Sequence, residues 1–392
     1  MIHKKLYQLL FSADKQWMIR TRKITTASVF SQLAYACFER RGLTHTLQKS
    51  GCDFTAPRGR ASRAQALSLA RKKIPEHLFR NINQELQQKS GPRRFCIDGS
   101  KVHVHPSFLL KKCTTRTNNQ NVSRPAKRPL MMLSSLLDVD TRTCYDSRIT
   151  THFNERKSAI QHFDVTKPGD TVIFDRGYFS SDLFHHGCQK KLKLVFRVKR
   201  DALKSVKLFY NSTRTCETIH VASHGQISRA YLRKYVIDGK SYICLTNFEL
   251  SCKEAKDLYS LRWRVETSFR RLKTDLSMET SHSMLPDGFV QEIEIRILVD
   301  TVSVLTSNLT SESVQLRRHT LNKLRSYFRS IDYNLMAFHI IQIVCERHLT
   351  YQSVINILDR HSSEPVSMRT GNDKKSVIPK TGNGRTISKT HF

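Results

Sequence analysis

Apolar positions in this chain change period along its length. Through residues 1–90 they recur at helical spacing. Val29, Leu33 and Ala36 share one side of a predicted helix over 26–41, which stops at Gly42. In SRAQALSLARKKI, Leu67, Ala70 and Ile74 fall together while Arg63, Arg71 and Lys72 lie outside, and Pro75 then opens a helix through Leu78, Ile82 and Leu86. From about residue 93 the runs become continuous or alternating, as in strands: 95–104, 130–139 and 143–153, the last two separated by a short polar turn. A helix over 154–165, a strand over 171–174, a helix over 181–191 and a strand over 192–200 follow. Residues 201–250 hold short β-rich pieces such as SRAYLRKYVI and SYICLTNFEL, inserted before a helix over 258–273. Further amphipathic helices are predicted at 290–308 and 334–358. No internal repeat is visible, and strands alternating with helices predict an α/β layered fold.

Charge narrows the partners. The 392 residues carry 66 Lys and Arg against 33 Asp and Glu, a formal charge of +33. An excess spread along the whole chain is the footprint of a polyanion, above all nucleic acid. The basic helices of residues 1–90 suit DNA binding, as a helix-turn-helix variant or a plain basic bundle. No apolar run reaches the roughly 18 residues of a membrane-spanning helix, and the first residues lack a signal peptide's apolar core, which predicts a soluble, intracellular protein.

Cys37, Cys52, Cys96, Cys113, Cys144, Cys188, Cys216, Cys244, Cys252 and Cys345 form no C-x-x-C pair, so reduced, mostly buried thiols are expected. His103 and His105 lack further ligands at metal-binding spacing, and so do His185 and His186. DGKS at 238–241 lacks the glycines of a phosphate loop.

The stretch YSLRWRVETSFRRLK raises the sharpest question. Leu258, Leu261, Val265, Phe269 and Leu272 make a core-facing stripe. Beside it runs a second stripe of Tyr259, Arg262, Glu266, Arg270 and Lys273, with Trp263 and Arg264 rotated away. Such a stripe can be a solvated face with i,i+4 ion pairs, Arg262 with Glu266 and Glu266 with Arg270. Alternatively, Glu266 holds a metal ion while its neighbours grip a polyanion. Two further acids sit where burial is costly: Asp98 interrupts FCID, and Asp175 follows TVIF. Gly99 and Gly177 beside them leave room for close approach. Asp138, Asp140 and Asp170 read as satisfied turn aspartates.

Together, Asp98 on the opening strand, Asp175 in DRGYFS and Tyr259, Arg262, Glu266 and Lys273 at Y-x2-R-x3-E-x6-K spacing resemble the DDE transposases of the insertion-sequence-4 type. The likeness covers roughly residues 25–310, including ALSLARKKIPEHLF, similar to the family's helical DNA-binding region. It implies a ribonuclease H-like catalytic core over 91–310 with a β-rich insertion at 201–250, preceded by a helical DNA-binding region over 1–90. Beyond the likeness, periodicity predicts a C-terminal helical region over 311–361, and a composition rich in Ser, Thr, Gly and Lys predicts a disordered tail over 362–392. The likeness implies that Asp98, Asp175 and Glu266 hold two Mg2+ ions, for which Mn2+ can substitute. It further implies that Tyr259, Arg262 and Lys273 contact DNA near the cut end. Arg270 on the same stripe is a further candidate for DNA contact, as are Arg176 and Tyr178, whose alternative role is to shape the loop after Asp175. The expected partners are the element's terminal inverted repeats and target DNA, with a homodimer in the DNA complex, in a bacterial cytoplasm at the nucleoid. Two rivals remain open: a metal-dependent nuclease with the same core, and a non-catalytic domesticated DNA-binding protein.

Overall fold

The computed structural model describes residues 2–19, 24–39, 63–107, 129–274, 278 and 283–313. The predicted helix over 334–358, the tail over 362–392 and the side chain of Arg270 lie outside the described residues.

Eight strands form one mixed sheet: β1 (Arg94–His103), β2 (Leu130–Asp138), β3 (Thr143–Thr150), β4 (Thr171–Phe174), β5 (Lys193–Val198), β6 (Cys216–Ser223), β7 (Gln226–Ile237) and β8 (Lys240–Thr246). Their order is β3-β2-β1-β4-β5-β8-β7-β6. The first five make a core of three antiparallel strands continued by parallel β4 and β5, which is a ribonuclease H-like arrangement. The insertion joins the same sheet, because β8 pairs antiparallel with β5. Its two hairpins turn on residue pairs with positive φ, His224–Gly225 and Asp238–Gly239, as two-residue β-hairpins require. The DGKS string is therefore a hairpin turn.

Helices cover both faces. α1 (Ile2–Trp17), α2 (Thr26–Glu39), α3 (Arg63–Arg71) and α4 (Leu78–Leu86) share one apolar cluster with α8 (Cys252–Ser260), α9 (Trp263–Thr274) and α10 (Pro286–Ser313). On the other face α5 (Glu155–His162), α6 (Ser181–Gln189) and α7 (Lys204–Asn211) enclose a second cluster rich in phenylalanine. Local chemistry starts several of these helices where they start. Asn154 and Ser180 cap α5 and α6 through their side-chain oxygens, and Ser251 with Glu254 forms a capping box on α8.

The segment 201–250 holds β6, β7 and β8 and also a helix, because Val206 and Phe209, three apart and buried, turn 204–211 into α7 ahead of β6. One expectation needs correction. The helix predicted over 258–273 is broken. Backbone bonds of the i to i−3 kind at Leu261, Arg262, Arg264 and Val265 tighten the chain between α8 and α9, so Tyr259 lies in the last turn of one helix and Glu266 in the first turn of the next.

Candidate active site

Strand parity decides where the acids point. On β1, Phe95 and Ile97 belong to the phenylalanine-rich cluster and Cys96 to the opposite one, so Asp98 faces the side covered by α8 and α9. On β4, Val172 and Phe174 likewise belong to the phenylalanine-rich cluster and Ile173 to the opposite one, which aims Asp175 the same way. The parallel register matches Cys96 with Ile173 and Ile97 with Phe174. One step further on, where the parallel pairing ends, Asp98 midway along β1 and Asp175 just past the carboxyl end of β4 come side by side.

The α8–α9 joint meets them there. The Tyr259 hydroxyl donates to Asp175 Oδ1 at 2.9 Å. Arg262 donates from Nη2 to Glu266 Oε1 at 2.6 Å, and its Nε stands 3.8 Å from Asp175 Oδ1. One buried guanidinium thus joins two of the three acids, and Lys273 Nζ reaches the Lys101 carbonyl at 3.2 Å. Arg197 stacks over the rings of Tyr242 and Tyr259, at 4.7 and 5.9 Å. Arg176 is exposed beside Asp175. Tyr178 differs from its expected place: at 2% exposure its ring packs against Phe174, so in this structure it belongs to the core and offers DNA no surface.

The acids experience different fields. Burial pushes the Asp98 carboxyl up to about 6, with the Gly99 amide opposing and Glu155 and Asp175 adding to the rise. Burial acts upward on Asp175 too, but the Arg176 amide, the Tyr259 hydroxyl and Arg262 outweigh it and hold this carboxyl below its ordinary value.

The sequence pattern that defines the transposase DDE domain matches residues 89–299, more than half of the chain and inclusive of all three acids. The chain belongs to the transposase DDE domain family. No curated protein matches it. Among solved structures it is similar to a piggyBac transposase synaptic complex with hairpin DNA, at 10% identity, with a TM-score of 0.50, covering 95% of this chain and 88% of that one. At that identity the likeness is one of fold.

Within this DDE chain, sequence reasoning missed the first turn of α5. Glu155 lies against Gly99 so closely that a Cβ there would come within 3.1 Å of its Oε1. Burial, then the charge of Asp175, raises the Glu155 carboxyl above its ordinary value. The next residue, Arg156, donates to the carbonyls of Tyr178 at 3.1 Å and Gly177 at 3.0 Å, fixing the loop that follows Asp175. Adjacent residues of one helical turn therefore brace both acid-bearing strands. Asn154 caps this helix through Lys157 N–H, and only docking of α5 reveals what its first turn touches.

The donor chemistry suits a hard divalent cation: carboxylate oxygens only, with Asp98 desolvated and in the field of two further acids. Among the described residues, no three His, Cys, Asp or Glu side chains stand close enough to hold a metal ion as they are. Arg262 is the cation that neutralises Asp175 and Glu266 here.

A second cluster of functional appearance is structural. Ser134 Oγ lies 3.0 Å from His162 Nε2, and His162 Nδ1 lies 2.7 Å from Asp146 Oδ2, the order of a serine hydrolase triad. Ser134, His162 and Asp146 are all fully buried, which denies any substrate access. Asp146 also receives Gln84 from α4 and Arg148, so the network ties the N-terminal helices to the sheet. Asp170 is satisfied by backbone amides, Asp138 by backbone amides at Oδ1 and an ion pair with Arg93 at Oδ2, and Asp140 by Arg94, as turn aspartates should be. Among the described residues, no helix is long and apolar enough to cross a membrane.

Proposed function

We propose that this DDE-family protein is the transposase of a bacterial insertion sequence, of the insertion-sequence-4 type, acting on DNA at the nucleoid. In this reading it binds the element's terminal inverted repeats as a homodimer, cleaves phosphodiester bonds and joins the freed ends to target DNA. Asp98, Asp175 and Glu266 are the residues that would hold two Mg2+ ions, or Mn2+ in their place. Bound there, the ions would activate the attacking hydroxyl and stabilise the leaving oxygen. Water attacks phosphorus, the bond from phosphorus to O3′ breaks, and a 3′-hydroxyl and a 5′-phosphate result. That hydroxyl then attacks a target phosphodiester in the same way.

The chain's cations have the complementary task. Three carboxylates repel DNA, and Arg262, Lys273, Arg270 and Arg176 restore attraction to the phosphates around the scissile bond. Tyr259 holds Asp175, and in this reading it would meet the same phosphates once DNA is bound.

The observation that carries this reading is the adjacency of Asp98 and Asp175 on the sheet face that bears Glu266. The test is Glu266→Gln assayed with a labelled element end, Mg2+ and a plasmid. Lost cleavage and joining with retained DNA binding is expected. Cleavage that persists in the variant overturns the assignment of Glu266. Wild-type cleavage without joined product would make the protein a nuclease, and DNA binding with neither reaction a non-catalytic relative.

A further inference from the structure

Cys216 and Cys252 stand with their sulfurs 3.7 Å apart. Cys216 is exposed and Cys252 half-buried, whereas Cys96, Cys144 and Cys244 are sealed in the core. Their places in the fold matter more than their distance. Cys216 is the first residue of β6 and Cys252 the first of α8, so the pair brackets the three-stranded insertion at the points where it leaves and rejoins the core. β6 is the outermost strand, bonded to β7 alone, and its end can shift without breaking a second ladder. A disulfide bond of about 2.05 Å needs an approach of less than roughly 2 Å. Cys252 Sγ also donates to the Thr215 carbonyl at 3.5 Å, which keeps it beside the start of β6.

We propose that Cys216 and Cys252 form a thiol–disulfide exchange site that small-molecule disulfides, such as oxidised glutathione, convert into an intramolecular disulfide tying off the base of the insertion. The step balances without a metal or enzyme. The Cys216 thiolate attacks one sulfur of oxidised glutathione, forming a mixed disulfide and releasing one glutathione thiolate, which takes up a proton. Cys252 then loses its proton and attacks the Cys216 sulfur, expelling the second glutathione. Two protein thiols are oxidised, and one small disulfide is reduced to two thiols. Cys216 acts first because it is the exposed sulfur. The site is independent of the transposase reading and stands whether or not the protein cuts DNA.

The experiment incubates the reduced full chain with oxidised glutathione, blocks remaining thiols by alkylation and maps peptides without reduction. Expected are a linked Cys216–Cys252 peptide, a loss of two hydrogens from the intact mass, reversal by dithiothreitol and slower proteolysis between the two positions. In Cys252→Ser, glutathione should instead accumulate on Cys216. This readout survives even where the linked form is lost through misfolding. Free alkylation of both cysteines after oxidation, or a wild-type protein that retains glutathione on Cys216 without closing the link, overturns the proposal.

Discussion

Arg262 Nη2 donates to Glu266 Oε1 across 2.6 Å, one turn along the chain, while the same guanidinium lies 3.8 Å from Asp175. Arg262 therefore does for these two carboxylates what a bound cation would do, and its removal should expose their demand for one. In Arg262→Ala, Glu266 loses this ion pair and Asp175 is left with the weaker field of Arg197, at a cost of about 1 kcal/mol for groups this exposed. The midpoint of thermal unfolding should fall in chelator. Added Mn2+ should then raise it by more than it raises the wild type, since an ion that binds only the folded state stabilises it by mass action. Equal Mn2+ shifts in the two proteins would show that Arg262 and the ion do not share these acids.

Asp98 gives a pH dependence of opposite sense to most carboxylates. Its folded-state value of about 6 lies above the ordinary 3.8, so the folded protein prefers the neutral acid. The resulting stability is fully present below about pH 4 and is lost as pH rises through about 6. In chelator, Asp98→Asn should therefore be more stable than the wild type at pH 8, by on the order of 1–2 kcal/mol for a group with some solvent contact. The two should converge towards pH 4. Urea denaturation at the two pH values measures this. Because a cation needs the ionised form, Mn2+ affinity should weaken as pH falls through about 6.

The helices and strands that position the site were legible because their apolar periods are clean. FCID and TVIF read as buried strands with an acid at a costly place, and their pairing put those acids together. Other relations were not legible. The stripe from Tyr259 to Lys273 keeps helical spacing across the break at Leu261 and Arg262, since a tightened turn moves side chains too little to disturb the pattern. Tyr178 follows a glycine in a polar loop and reads as surface, yet the phenylalanines from β4 and β5 claim its ring. Glu155 owes its place to the way α5 docks, a long-range event with no local signature.

The buried network around Asp146 should respond as a structural element and not as an enzyme. Burial opposes its charge, but His162 and Arg148 more than compensate and hold its carboxyl below the ordinary value. Its stability is therefore present above about pH 4 and lost only as pH falls below that. Asp146→Asn leaves Arg148 and His162 short of a buried acceptor and should cost about 3–5 kcal/mol. Its unfolding midpoint in urea should fall accordingly. Ser134 should stay unlabelled by a fluorophosphonate in the native protein, because no solvent reaches it.

Gly187 tests the packing of α6 on β5. A Cβ at this position would lie 2.6 Å from Cδ2 and 2.7 Å from Cδ1 of Leu194, too close for either to stay. Both Leu194 methyls are fully enclosed among phenylalanines, so the side chain has nowhere to retreat and the helix itself must lift. Gly187→Ala should destabilise by roughly 1–3 kcal/mol despite alanine's better helix propensity. Leu194→Ala alone should destabilise by roughly 2–5 kcal/mol through the cavity it leaves. If steric conflict is the cause, the two changes are not additive: the double variant should be more stable than the sum of the single losses, because the added methyl partly fills the space vacated. Additive losses in urea denaturation would instead place the fault in the α6 backbone.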